Sequence, residues 1–139
     1  MENEGRPEPG SERGGAVPHS ILEYSDNVIE TEEFQAFWGR LHPLLVSHAH
    51  CRLQDIKSRA YCCENFRMGD GDPRGAFVHL TIRLLEGRDP ETLGRIGAAV
   101  MELMRAHFKG TLTQRRCDLT LELAGMRPDC YFKATSGSD

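Results

Sequence analysis

A chain of 139 residues, 39% hydrophobic and 27% charged, suits one domain around one core. Its formal net charge of −4 speaks against nucleic acid or a membrane surface as partner, so an anionic ligand would have to be met by locally placed cations. No apolar run approaches the roughly 18 residues of a bilayer span, and the early glutamates (Glu2, Glu4, Glu8, Glu12) leave no apolar stretch for a secretory signal.

Residues 1–16 are rich in Gly, Glu and Pro, lack large apolar side chains, and are expected to stay disordered. A β-strand is predicted from His19 to Tyr24, closed by a turn at Ser25-Asp26-Asn27. Phe34, Phe37, Trp38, Leu41, Leu44 and Leu45 then recur at helical spacing, with Thr31 as the expected cap. Pro43 should kink this helix or shorten its last turn. A second strand is predicted over residues 56–64, and Gly69-Asp70-Gly71-Asp72-Pro73-Arg74-Gly75 breaks the chain.

After the break the plan starts again. Residues 77–85 read as a long strand, and Asp89-Pro90-Glu91 as a helix start with Asp as cap and Pro in the first turn. Leu93, Ile96, Val100, Leu103 and Met104 carry the second helix to an expected stop at Gly110. Leu119, Leu121 and Leu123 alternate with Asp118, Thr120 and Glu122 on a further strand, and Tyr131-Phe132 suggests a short last one. Phe34 and Leu93, Phe37 and Ile96, Leu41 and Val100, Leu44 and Leu103, and His48 and His107 all pair at an offset of 59. The domain at 17–139 is therefore two β-α-β units, about 18–68 and 76–125. Each has a parallel strand pair with a right-handed crossover. Together they would form a four-stranded α+β sheet with both helices on one face. The other face is expected to be too apolar to stay wet, which points to an oligomer.

The cysteines and most histidines suggest no chemistry. The five cysteines are odd in number, lack metal-ligand spacing, and read as free thiols of a reducing cytosol. His42, His48, His50 and Cys51 form too weak a pattern for zinc and read as polar residues at a helix end. No metal is expected.

Three motifs carry a family resemblance. Val17-Pro18-His19, followed by apolar residues and Glu23, resembles the start of 5-carboxymethyl-2-hydroxymuconate isomerases of the tautomerase superfamily. There a Met-Pro-His opening loses its Met, and the proline becomes the N-terminus and catalytic base. Val17 stands where that Met would be. Because a valine codon can initiate, Val17 is expected to mark the true start and Met1 an upstream one. Leu84-Leu85-Glu86-Gly87-Arg88 is similar to the strand end of 4-oxalocrotonate tautomerases, where the arginine binds substrate carboxylate. Ile56-Lys57-Ser58-Arg59 resembles the family's Ile-Arg-Ser-Arg, with Lys57 as a departure.

The resemblance implies a tautomerase-like trimer acting without a cofactor in the bacterial cytoplasm. It implies the isomerase of homoprotocatechuate catabolism, which moves a proton along a 2-hydroxymuconate-type polycarboxylate. Pro18 would be the base, and Arg88, Arg59 and Lys57 would bind carboxylates. His19 would either orient substrate or face the other way. The Lys57 departure leaves room for a related tautomerase with another enol-acid substrate. A retained tail leaves room for a non-catalytic trimeric interaction protein, because an internal proline nitrogen has no basic lone pair.

Overall fold

In the computed structural model, residues 17–137 are described. The segment expected to be disordered, 1–16, lies outside them. The elements are β1 (His19–Ser25), α1 (Phe34–Ala49), β2 (Lys57–Cys63), β3 (Gly75–Leu85), α2 (Pro90–His107), a short α3 (Lys109–Gln114) and β4 (Arg116–Met126). They form one sheet in the order β2-β1-β3-β4. β1 runs parallel to β2 and β3 parallel to β4, and the two units join through antiparallel β1 and β3. This is the expected α+β arrangement of two β-α-β units.

One core lies between the sheet and the helices. Leu22 of β1 and Val78, Leu80, Ile82 and Leu84 of β3 meet Phe37, Leu41 and Leu45 of α1 and Ile96, Val100 and Met104 of α2. The internal repeat is therefore physical. Phe37 with Ile96, Leu41 with Val100, and Leu45 with Met104 occupy matching buried positions. Removing such side chains from water is the main favourable contribution to folding.

The other sheet face differs from expectation. It carries His19, Ile21 and Glu23 from β1, Lys57, Arg59 and Tyr61 from β2, His79, Thr81 and Arg83 from β3, and Asp118, Thr120 and Glu122 from β4. The face is mainly polar, with Ile21, Tyr61 and Phe77 among charged and hydroxyl side chains, because strand alternation sends most apolar residues to the helix side. The argument for an oligomer from an apolar open face therefore fails.

Three local expectations are corrected, and that for Pro43 in part, since the helix is not shortened. Thr31 is not the cap of α1; Glu33 holds that position without a side-chain bond. Pro43 lies inside α1, which nevertheless continues to Ala49. Pro43 and Gly39, four residues before it, are both exposed, so the bond lost at Pro43 faces water. Gly110 does not end the helical region but sits within α3. A Cβ there would meet Glu30 Oε2 at 2.6 Å, and Glu30 accepts hydrogen bonds from the Thr111 backbone N–H (3.1 Å) and hydroxyl (2.6 Å). Gly110 thus permits a close approach rather than a helix stop. Finally, Tyr131 and Phe132 form no strand; a single 3-10 turn, Pro128–Cys130, leads into an irregular segment.

Asp89 caps α2 as expected, its carboxylate accepting from Thr92 N at 2.8 Å. Asp89→Ala should destabilise the protein by about 1 kcal/mol, the usual size of a lost N-cap. The shift in a urea unfolding midpoint measures it.

Candidate active site

The antiparallel junction decides what meets at one end of the sheet. His19 pairs with Arg83, and Lys57 N donates to Pro18 O at 3.2 Å. Glu86 N donates to Met126 O at 2.8 Å. The starts of β1 and β2 therefore lie beside the ends of β3 and β4. Pro18 and Val17 are buried there, and Val17 packs with Leu85, Met126 and Tyr131. Since Val17 is bonded to the Pro18 nitrogen, this apolar seat lies next to that nitrogen.

A cleft of about 420 Å³ opens at the same end, lined by His19, Arg59, Arg83, Arg127, Cys130 and Tyr131 together with Gly125 and Met126. Its size suits a small ligand. Arg59 and His19 come from neighbouring strands on the open face, as alternation requires. Arg59 Nη1 donates to His19 Nδ1 at 3.1 Å, and His19 Nε2 lies 3.0 Å from the Tyr131 hydroxyl. Burial lowers the His19 pKa, and the positive charges of Arg59, Lys57 and Arg83 lower it further. The imidazole is therefore held neutral near pH 7.

Three guanidinium groups in one cleft favour an anion with more than one carboxylate. Arg127 is already engaged by Asp129, with Nη2 to Oδ2 at 2.8 Å. Arg83 has no carboxylate partner among the described residues.

Of the residues singled out from the sequence, Arg59 lines this cleft; Pro18 is buried and not among the lining residues, but directly precedes His19, which is. Lys57 stands in the same row as His19, but its Nζ donates to Asp55 O at 2.8 Å. Arg88 emerges from the turn after β3 and faces elsewhere. It donates to Leu85 O (3.0 Å) and Ala49 O (2.7 Å), and lines two adjoining hollows. One of these shares a single lining residue, Gly125, with the main cleft.

Sequence reasoning missed Arg83, Arg127 and Tyr131. Arg83 had a usable signal, because it shares the open face of β3 with His79 and Thr81. Arg127 and Tyr131 had none, since they follow the last strand in irregular structure. The histidines read as polar residues at a helix end do make local bonds: His42 Nε2 lies 2.7 Å from Ser58 Oγ, and His48 Nδ1 3.2 Å from Leu44 O. No helix among the described residues is long and apolar enough to cross a membrane.

A fused pair of β-α-β units with a cationic cleft at the proline-bearing end of its sheet defines a tautomerase-like protein. A solved structure of a fused 4-OT, described as a wild-type symmetric trimer, shares this fold at a TM-score of 0.62 and 17% identity, covering 80% of this chain and 88% of its own. Residues 18–137 match the 5-carboxymethyl-2-hydroxymuconate isomerase family, and the chain belongs to that family. It is an isomerase. The 5-carboxymethyl-2-hydroxymuconate Delta-isomerase of Escherichia coli is 30% identical over 117 residues, 84% of this chain and 93% of that protein. The crystal structure of a 5-carboxymethyl-2-hydroxymuconate isomerase from Deinococcus radiodurans R1 superposes at a TM-score of 0.79 with 26% identity, covering 89% of this chain and 93% of its own.

Proposed function

We propose that the protein isomerises 5-carboxymethyl-2-hydroxymuconate or a close polycarboxylate relative in bacterial degradation of aromatic acids, and that its active species begins at Pro18. The observation that carries this reading is the cleft lined by Arg59, Arg83 and Arg127 together with His19, the residue that follows the buried Pro18. In a chain beginning at Pro18, the nitrogen is a secondary amine next to the apolar seat now filled by Val17. An apolar wall and nearby cations both disfavour the ammonium form, which frees the amine to act as a base near neutrality.

The amine takes the proton of the substrate's 2-hydroxyl group. Electron density moves along the conjugated chain, the 2-oxygen becomes a carbonyl oxygen, and the amine returns the proton to a distal carbon. The reaction is a net proton shift with no change of oxidation state. Arg59 and Arg83 hold carboxylates and stabilise the dienolate. Lys57 joins them by exchanging Asp55 O for a carboxylate, and Arg88 is assigned to substrate carboxylate from the family resemblance of its motif alone. The likeness to a symmetric trimer supports a homotrimer as the working assembly.

The test follows the ultraviolet absorbance of 5-carboxymethyl-2-hydroxymuconate with a chain beginning at Pro18. Conversion to the 2-oxo isomer, with weaker turnover of monocarboxylate enols such as enol-phenylpyruvate, is expected. Preference for the monocarboxylate would assign the protein to a different tautomerase substrate.

A further inference from the structure

Tyr131 is held by two unlike contacts. Its ring closes the apolar cluster of Val17, Leu85 and Met126, while its hydroxyl reaches His19. The direction of that hydrogen bond is fixed at the other end of the imidazole. A guanidinium nitrogen can only donate, so His19 Nδ1, 3.1 Å from Arg59 Nη1, is the accepting lone pair. A neutral imidazole with Nδ1 bare carries its proton on Nε2 and therefore donates to the Tyr131 oxygen, 3.0 Å away. The phenol oxygen accepts from His19, which leaves its own hydrogen to give. Tyr131 lines the arginine cleft.

Building on the function proposed above, we propose that Tyr131 donates this hydrogen to the substrate's 2-oxygen as that atom becomes anionic, and that Arg59 and His19 orient it for that purpose. Tyr131 keeps its proton throughout. Pro18 takes the hydroxyl proton and returns it to carbon, and Tyr131 supplies a hydrogen bond that strengthens as charge grows on oxygen. Tyr131 is the substrate-touching group, and His19 is a positioning residue. The groups facing His19 are Lys57 and Arg59 from β2, Arg83 from β3, and Tyr131, Arg127 and Cys130 from beyond β4. The cations among them oppose protonation of His19. If it does protonate, below its ordinary value of 6.5, Nδ1–H faces Arg59 and the accepting end of the relay is lost.

Two measurements test the proposal. Nitrogen-15 NMR of His19 near pH 7 should show the Nε2–H tautomer, a result that needs no activity; the Nδ1–H tautomer would overturn the relay. In a chain beginning at Pro18, Tyr131→Phe should lower kcat about tenfold to a hundredfold, the range for a hydrogen bond to a charged group, with little change in KM. His19→Gln, which keeps a donor near the Nε2 position, should retain more activity than His19→Ala. It should also remove one of two proton dependences from the acid limb of kcat/KM. Unchanged kcat in Tyr131→Phe, with an active parent, would sink the proposal and leave the function standing. If the parent does not isomerise the muconate, the function fails instead. The His19 tautomer then decides: Nε2–H leaves Tyr131 with a free hydrogen to donate and supports the relay, and Nδ1–H overturns it.

Discussion

A chain that keeps the residues before Pro18 is expected to isomerise substrate about 10²–10⁴-fold more slowly than one that begins at Pro18, the usual contribution of a general base. Two physical effects act in the same direction. With Val17 attached, the Pro18 nitrogen is a tertiary amide and cannot accept a proton. Val17 itself is fully buried among Leu85, Met126 and Tyr131, and so fills the apolar seat beside that nitrogen. Trimming should leave the fold intact, because the main core is built without Val17. Thermal unfolding should therefore change little while kcat/KM changes greatly.

The pH profile gives the sign. An amine base works when unprotonated, so kcat/KM should fall as pH drops through the amine pKa, expected below the ordinary range of about 7.7–8.0. Pro18→Ala, which leaves a primary amine in place, should keep part of the activity. Equal rates for trimmed and untrimmed chains, with the longer one shown intact by mass spectrometry, would rule out the amine mechanism.

Arg59→Ala should lower kcat/KM about tenfold to a hundredfold, the range for losing a hydrogen bond to a charged group. Arg59 has two duties in the cleft. It supplies charge for a carboxylate, and through the 3.1 Å bond to Nδ1 it fixes the tautomer of His19. Arg59→Lys separates them. Lysine keeps the charge but loses the planar fork, so binding should recover in part while the tautomer of His19 becomes mixed. Full recovery of both would mean that Arg59 acts as a point charge alone.

Much of the fold was legible because it is written in short-range pattern. Phe37, Leu41 and Leu45 recur at helical spacing, Leu119, Leu121 and Leu123 alternate, and Asp89-Pro90 marks a helix start; each of these is settled by neighbours a few residues away. Local signals failed where a distant partner intervened. Gly110 reads as a helix stop, but Glu30 reaches across to Thr111 and makes that glycine a point of close approach. The polarity of the open face was misjudged because the helix-facing leucines dominate composition, while Lys57, Arg59, Arg83 and Glu122 share the opposite side.

The sequence by itself determined the two β-α-β units and their inner faces, because periodicity acts along the chain, while the family resemblance pointed to Pro18, Arg59, Lys57 and Arg88. Only the tertiary structure decided the cleft. Antiparallel pairing of His19 with Arg83 brings the ends of β3 and β4 to the start of β1, which no local pattern specifies. It places Arg83, Arg127 and Tyr131 around His19, and it turns Arg88 toward Ala49 and Leu85 carbonyls instead. Side chains in turns and after the last strand take their direction from long-range packing, so their part in the site exists only once the sheet has closed.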